Sequence, residues 1–231
     1  MKSLKGILGQ KPKIVVNPSF SCEKCLDTGW LDDGESYTRC PCREESDKAL
    51  RQRSFIKDCG LPLNSRRMTF ETFKPGAETK SAYAAAKEMA DNKGTLLLML
   101  RGRTGCGKTH LAIAVCHEKL KRGEPAVYVY VPELLACLRD AIKDDSYRSR
   151  YLLYRDVGFL VLDDLGAEKS TAWAVETLEA LVNWRLMHNL STMITTNIDI
   201  REISDRIYSR LSDRRYSTAI QVGGPDYRAE T

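Results

Sequence analysis

The chain has 231 residues, of which 42% are hydrophobic, and a formal net charge of +5 at pH 7. This length suits one domain of ordinary size with a small appendage, and the composition supports a buried core. No apolar run approaches the roughly 18 residues that a membrane helix needs, and the apolar stretch near the N-terminus is too short for a secretion signal. We therefore expect a cytoplasmic protein, whose weakly basic charge permits a nucleic-acid partner without demanding one.

The first notable pattern is a group of four cysteines, Cys22, Cys25, Cys40 and Cys42. Two close pairs separated by a loop match the spacing of a tetrahedral four-cysteine zinc site, which has no open position for water and is therefore structural. The residues between the pairs predict a β-hairpin with its turn at Asp33–Gly34, and zinc would supply its folding energy. Disulfides and uncoordinated thiols are the alternatives, and a reducing cytoplasm disfavours disulfides.

Composition divides the chain into four segments. Residues 1–20 are expected to form a flexible arm, residues 21–43 a zinc-binding module, and residues 44–67 a charged helical linker. From residue 68 to residue 231, apolar runs such as TLLLML and FLVLDD alternate with helical patterns. Strands that alternate with helices predict an α/β domain with a mostly parallel sheet that is covered on both faces.

The first predicted strand of this domain runs directly into GRTGCGKT, residues 102–109. The octapeptide matches G-x-x-x-x-G-K-[ST], in which glycines let backbone N–H groups surround a phosphate chain. Lys108 would neutralise the β- and γ-phosphates of ATP, and Thr109 would offer its hydroxyl to Mg²⁺. A glycine turn without a ligand is the alternative. The predicted nucleotide-binding residues are Gly102, Arg103, Thr104, Gly105, Cys106, Gly107, Lys108, Thr109 and His110.

Two later strand-like runs end in residues that suit phosphate chemistry. FLVLDD ends in Asp163 and Asp164, and STMITTN ends in Asn197. Asp163 would hold Mg²⁺ through water, and Asp164 would orient or activate the water that attacks the γ-phosphate. Asn197 would reach that phosphate or that water. Each residue taken alone also suits a helix cap or a turn, so this interpretation depends on the phosphate loop that precedes them.

In their order and spacing, these motifs resemble the AAA+ ATPases, with GRTGCGKT as Walker A, FLVLDD as Walker B and TTN as sensor 1. Within that superfamily, LDDLGAEK, MTFETF, RIYSRLSD and GPDYR are similar to the bacterial replicative helicase loaders of the DnaC/DnaI type. The resemblance covers residues 65–228. It implies a P-loop NTPase fold, with a five-stranded parallel sheet of order 5-1-4-3-2 that is flanked by helices.

The resemblance also implies roles for residues outside the phosphate loop. Arg210 would be an arginine finger that reaches the ATP of a neighbouring subunit, so the chain would self-associate. Arg206 is the second choice for the finger, and a solvated basic helix end is the alternative to both. Phe70 and Phe73 would either flank the adenine or belong to the core.

The chain departs from the wider AAA+ pattern in two ways. Asp164 stands where many members have Glu, and the shorter side chain predicts slow, partner-stimulated hydrolysis. Only 21 residues follow Arg210. That length leaves little or no helical lid, and it makes Arg228 the candidate substitute for the usual sensor 2 arginine.

The segment 132–157 lies between the second and third strands of the predicted sheet, where related initiator and loader ATPases bind single-stranded DNA. It contains cations that suit phosphates and aromatic rings that suit base stacking. Neighbouring aspartates nearly cancel the positive charge, so an ordinary amphipathic helix pair is the alternative. The candidate DNA-binding residues are Arg139, Lys143, Arg148, Arg150 and Tyr151.

The resemblance implies an ATP-dependent loader that places a DnaB-type helicase on single-stranded DNA during replication initiation or restart. The zinc module would grip the helicase. One alternative is a transposition helper ATPase of the IstB type, and another is an adaptor that binds ATP without significant turnover. LDDLGAEK and the cysteine group favour the loader, and the intact Lys108, Asp163 and Arg210 disfavour the adaptor.

Overall fold

A computed structural model describes residues 22–32, 36–43, 59–143, 145–168 and 171–227. The chain divides into two compact units, Met1–Ala49 and Leu50–Thr231. The predicted arm, the turn at Asp33–Gly34, most of the predicted linker, and Arg228 lie outside the described residues. The boundaries of the four predicted segments therefore stay predictions.

The first unit contains a two-stranded antiparallel sheet. Its strands are β1, Trp30–Asp32, and β2, Tyr37–Arg39, and Trp30 lies opposite Arg39. The strands of the predicted hairpin are thus confirmed. Trp30 and all three residues of β2 are exposed, whereas Cys25 and Cys40 are buried. The described part of this unit therefore buries thiols rather than an apolar core.

The second unit is an α/β domain. Its described residues before the first α-helix, 59–79, are here named the leading segment and contain a 3-10 helix at Leu63–Arg67. The other helices are α1 Lys80–Ala90, α2 Lys108–Lys121, α3 Val131–Ala141, α4 Tyr147–Asp156, α5 Ala172–Met187 and α6 Asp205–Ser212, with a second 3-10 turn at Ile200–Glu202. The strands are β3 Leu97–Arg101, β4 Ala126–Tyr130, β5 Phe159–Leu165, β6 Ser191–Thr196 and β7 Ser217–Gln221.

The five strands β3 to β7 form one parallel sheet in the order β4-β5-β6-β3-β7. Counted from β3 as the first strand, this is the order 5-1-4-3-2, so the predicted five-stranded sheet flanked by helices is confirmed. Parallel strands end on the same edge of a sheet, and ligands of such folds bind outside that edge. Because β6 lies between β3 and β5, the phosphate loop, the two aspartates and Asn197 emerge side by side.

Apolar side chains cover both faces of this sheet, because consecutive residues of a strand point to opposite faces. Leu98 and Leu100 of β3 pack with residues of α1 and α2 on one face. Leu97 and Met99 pack with residues of α3, α5 and α6 on the other face. Burial on both faces explains why the strands appear in the sequence as continuous apolar runs.

Helix α5 carries a fully buried arginine, Arg185. Burial lowers the pKa of its guanidinium to about 9. Arg185 connects α5 to the end of α4 and to the start of β6 by hydrogen bonds to uncharged acceptors. Its hydrogen bonds, 2.7 to 3.1 Å long, go to the carbonyl oxygens of Tyr154, Arg155, Val157 and Ser191 and to the hydroxyl of Thr192.

After α6, the described residues contain β7 and an irregular segment that reaches Tyr227. Because β7 pairs with β3, the segment leaves the sheet beside the phosphate loop. Within the described ranges, no helix combines the length and the apolar character that crossing a bilayer requires.

Candidate active site and metal centre

The phosphate loop joins β3 to α2 at the carboxyl edge of the sheet. Gly105 and Gly107 have φ angles of +83° and +96°, in the left-handed region that glycine adopts most readily. A side chain at Gly107 would also collide with the ring of Phe73. Since α2 begins at Lys108, its free N–H groups and the positive end of its dipole meet the loop, an arrangement that binds phosphate.

Lys108 is buried, and its ammonium group links three parts of the site. It donates to the carbonyl oxygens of Gly102 and Arg103, both at 2.8 Å, and to Oδ1 of Asn197 at 2.7 Å. Asn197 in turn donates from Nδ2 to Oδ1 of Asp164 at 2.5 Å. The structure thus joins Lys108, Asn197 and Asp164, three residues predicted from the sequence, in one chain of contacts.

Asp163 is buried at the end of β5 and accepts hydrogen bonds from three hydroxyl groups. Thr109 donates to Oδ1 at 3.0 Å, Thr195 donates to Oδ1 at 2.6 Å, and Tyr128 donates to Oδ2 at 2.7 Å. Tyr128 belongs to β4 and Thr195 to β6, so the strands on both sides of β5 fix this carboxylate. Burial, and then the charge of Asp163, raise the pKa of Tyr128, so this phenol stays a hydrogen-bond donor.

The residues at this point fit a magnesium ion. Thr109 and Asp163 place a hydroxyl and a carboxylate oxygen 3.0 Å apart at the start of α2. Oxygen ligands of this kind, together with nucleotide phosphates, are what Mg²⁺ prefers in proteins. Thr109 and Asp163, the pair predicted from the sequence, would therefore hold the ion that accompanies ATP.

Asp164 interrupts the regular alternation of β5. Its φ angle is +61°, and the pairing of β5 with β6 shifts register between Leu162 and Leu165. In a regular strand, consecutive side chains point to opposite faces. This irregularity instead lets Asp163 contact Thr109 while Asp164 contacts Asn197. Both carboxylates therefore serve one site, as bulges next to active sites often allow.

One cavity of about 790 Å³ connects these residues. This volume lies within the range that small-molecule sites occupy. Its lining includes Lys108, Thr109, Asp163, Asp164 and Asn197. The remaining wall includes Pro62, Asn64 and Met68 of the leading segment and Tyr227 of the C-terminal segment.

Sequence reasoning missed Tyr128, Thr195 and Tyr227 at this site. Tyr128 belongs to a run, PAVYVYV, that resembles any buried strand, and Thr195 opens the TTN motif, in which only the asparagine drew attention. Tyr227 lies in GPDYR, a motif that could have directed attention to it. Phe70 and Phe73, considered as neighbours of the adenine, lie buried in the core.

The remaining predicted loop residues differ in their surroundings. Arg103 and Thr104 are exposed, and Cys106 is buried. His110 lines the cavity, and its Nε2 lies 2.9 Å from the carbonyl oxygen of Thr69. His110 therefore fastens α2 to the leading segment that forms part of the cavity wall.

Arg210 is exposed on α6 and lines a different groove, between α5 and α6. Arg206, the second choice for the finger, also lines this groove and pairs with Glu179 at 3.2 Å. The structure does not place Arg210 among the described residues that line the nucleotide cavity of the same chain. A role for Arg210 in hydrolysis would therefore act on the cavity of another copy.

The four predicted zinc ligands come together in the first unit. Their sulfur atoms all lie within 4.8 Å of one another, with Cys22 and Cys40 at 3.7 Å and Cys25 and Cys42 at 3.3 Å. A tetrahedral site with Zn–S bonds of about 2.3 Å requires sulfur separations of about 3.8 Å. The donor set therefore fits zinc.

The candidate DNA-binding residues lie on α3 and α4 and in the turn between them. Lys143 pairs with Asp140 at 3.2 Å, Arg139 lies over the ring of Trp173, and Arg148 is exposed. Several of these side chains are thus engaged within the unit.

The other two candidates, Tyr151 and Arg150, also contact neighbouring side chains. Tyr151 is half-buried and stacks on Tyr147, with ring centroids 5.8 Å apart. Arg150 donates to Sγ of Cys137 at 3.1 Å. The arrangement is compatible with the amphipathic helix pair that was the alternative, and it leaves DNA contact a prediction.

A family model described as the bacterial DnaA ATPase domain matches residues 63–217. The chain is 24% identical over 224 residues to the replicative helicase loader DnaI of Bacillus subtilis (strain 168), covering 93% of this chain and 67% of that protein. It is 23% identical over 223 residues to the replicative helicase loader DnaC of Escherichia coli (strain K12), covering 93% and 90%.

A solved structure of the replication initiator DnaA, bound to AMPPCP and single-stranded DNA, superposes with a TM-score of 0.65. It is 22% identical, and the match covers 71% of this chain and 52% of that one. The chain therefore spans about half the length of the DnaA chain that it matches. At this identity the likeness shows a shared fold.

Proposed function

Because the chain belongs to the family of the bacterial DnaA ATPase domain, an AAA+ ATPase family, we propose that it loads a DnaB-type replicative helicase onto single-stranded DNA in an ATP-dependent manner. Helicase loading would occur during replication initiation or restart. Similarity to curated helicase loaders across 93% of the chain supports this choice among ATPase functions. The hydrogen bonds that link Lys108 through Asn197 to Asp164 are the main support for ATP hydrolysis by this chain.

The residues of the cavity suit hydrolysis of a γ-phosphate. Lys108 would donate to the β- and γ-phosphates, and the N-terminal N–H groups of α2 would bind the phosphate chain. Thr109 and Asp163 would hold Mg²⁺, which would neutralise part of the phosphate charge. Asp164 would hold the attacking water and receive its proton. Asn197 contacts both Lys108 and Asp164, so it would orient the two groups that flank the γ-phosphate.

Asp164 is expected to work slowly. Its carboxylate is one methylene shorter than that of a glutamate, and it depends on a left-handed backbone to face Asn197. Slow hydrolysis suits a protein that stays bound to a helicase until a partner stimulates release.

Arg210 would complete the site in trans. It is exposed beside the α5–α6 groove, where a second copy of the chain can present its nucleotide cavity. A guanidinium there would stabilise the negative charge that develops on the phosphate oxygens during transfer. The proposal therefore includes self-association.

The cysteine cluster would serve recognition rather than chemistry. All four ligands are protein thiols, so a bound zinc ion would have no open position for water. The zinc would order the hairpin, which we propose as the surface that docks on the helicase. The α3–α4 residues are the proposed contact with single-stranded DNA.

The test is co-elution of the zinc-loaded full chain with its host's replicative helicase hexamer on a sizing column, with ATP present. Co-elution supports the loader. Separate elution of two folded proteins contradicts it, and it would favour the transposition helper, for which binding of duplex DNA is the next measurement.

The ATPase part is tested with Arg210→Ala and with Arg206→Ala as the matched control from the same helix. We expect Arg210→Ala to lower turnover by about 10³-fold while ATP binding is kept. Arg206→Ala should keep most activity, because Arg206 pairs with Glu179 of its own chain. Equal turnover of the Arg210 variant and the parent protein would exclude the finger assignment.

A further inference from the structure

We propose that the segment 222–227, here named the C-terminal strap, forms the nucleoside-binding wall of the ATP site, and that Tyr227 is its contact residue. This inference rests on the nucleotide binding proposed above. The strap continues from β7, and the N–H of Val222 donates to the carbonyl oxygen of Arg101 at 2.6 Å. It therefore begins beside Arg101, the last residue of β3, which immediately precedes the phosphate loop.

The strap is fitted closely to the phosphate loop. The N–H of Tyr227 donates to the carbonyl oxygen of Gly105 at 3.2 Å. The carboxylate of Asp226 lies so close to Gly105 that a Cβ at this position would overlap it. A Cβ on Gly102 would likewise overlap the carbonyl oxygen of Val222. These two glycines of the loop thus accommodate the strap as well as a phosphate chain.

The strap also reaches the leading segment. The side chain of Glu78 packs against Gly223, and the hydroxyl of Tyr227 lies beside Gly76. The strap therefore contacts both the phosphate loop and the leading segment, and residues of both elements line the cavity. Its position is fixed from both sides.

The lining of the cavity combines two kinds of chemistry. It includes the ammonium of Lys108 and the carboxylates of Asp163 and Asp164. It also includes Pro62, Met68 and the half-buried Tyr227. An aromatic face beside apolar side chains suits the flat, uncharged part of a nucleotide, because every base has a π-face on which a ring can stack.

The experiment measures binding of the non-hydrolysable analogue AMPPCP, and separately of inorganic tripolyphosphate, to the full chain. Tyr227→Ala should weaken AMPPCP binding about tenfold, the lower range for losing one base–aromatic stack. The affinity for tripolyphosphate should not change, because this ligand has no nucleoside. Tyr227→Phe should bind AMPPCP within about twofold of the parent protein, since the ring is kept.

Tyr216→Ala is the matched control, because Tyr216 is an exposed tyrosine next to β7 that does not line the cavity. The inference is overturned if Tyr227→Ala binds AMPPCP as the parent protein does. It is also overturned if the affinity for tripolyphosphate falls equally, since the strap would then only hold the loop in place. A parent protein that binds no AMPPCP would overturn the ATPase proposal together with this one, so the two failures are distinguishable.

Discussion

The two units of this chain hold their candidate sites by different means. The nucleotide site lies at the edge of a five-stranded sheet whose strands are buried on both faces. The cysteine site accompanies two strands of three residues each, and its described buried side chains include Cys25 and Cys40 rather than large apolar groups. A packed core fixes a site before its ligand arrives, whereas a segment without a core depends on its metal.

The strongest test of this comparison removes one thiol. Cys40→Ser should abolish stoichiometric zinc binding and the structure of the hairpin, because it removes one of the two buried thiols of a four-ligand site. The measurement is zinc content together with hydrogen exchange of the Leu26 N–H, which bonds to the carbonyl oxygen of Cys22. The melting temperature of the ATPase unit should stay unchanged.

Cys137→Ser is the control, since Cys137 lies on α3 outside the cluster. A Cys40→Ser protein that keeps one zinc per chain and a protected hairpin would contradict the metal-dependent interpretation. So would unfolding of the ATPase unit on zinc removal.

A smaller effect is expected from Arg185→Met. The change keeps an unbranched apolar stem but leaves buried carbonyl oxygens at the end of α4 and the start of β6 without their donor. Orphaned buried acceptors cost about 1–3 kcal/mol each, so the free energy of unfolding should fall by about 3 kcal/mol. Urea denaturation measures it, with exposed Arg201→Ala as a control that stays within about 0.5 kcal/mol. If Arg185→Met leaves the free energy of unfolding unchanged, apolar packing alone holds these elements.

The smallest change removes a single oxygen. Tyr128→Phe deletes the phenol that donates to Asp163, so the carboxylate is less firmly positioned while the ring remains in the core. We expect a loss of stability of about 1 kcal/mol and a severalfold higher Mg²⁺ concentration for half-maximal AMPPCP binding. The exposed Tyr208→Phe on α6 should change neither quantity. An unaltered Mg²⁺ requirement would show that Thr109 and Thr195 suffice.

Much of the nucleotide site was accessible from the sequence, because each of its motifs is local. GRTGCGKT contains the glycines, the lysine and the threonine in one run. The apolar runs that predict strands end at Asp163 and Asn197, which places these two residues at strand ends. The resemblance then supplied the strand order that brings these ends together, which periodicity alone does not indicate. The cysteine cluster was accessible for the same reason, since the spacing within each pair is short.

The alternation of strands and helices, the phosphate loop and the four thiols follow from short stretches of the chain, because backbone propensity, burial and ligand spacing act over a few residues. The contacts of Tyr128 and Thr195 with Asp163, the contact of Asp164 with Asn197 and the position of Tyr227 at the cavity are seen only in the folded domain. These contacts join residues on separate strands and loops. They depend on sheet order, register and one backbone irregularity, which are fixed when the whole domain packs rather than by any short stretch of the chain.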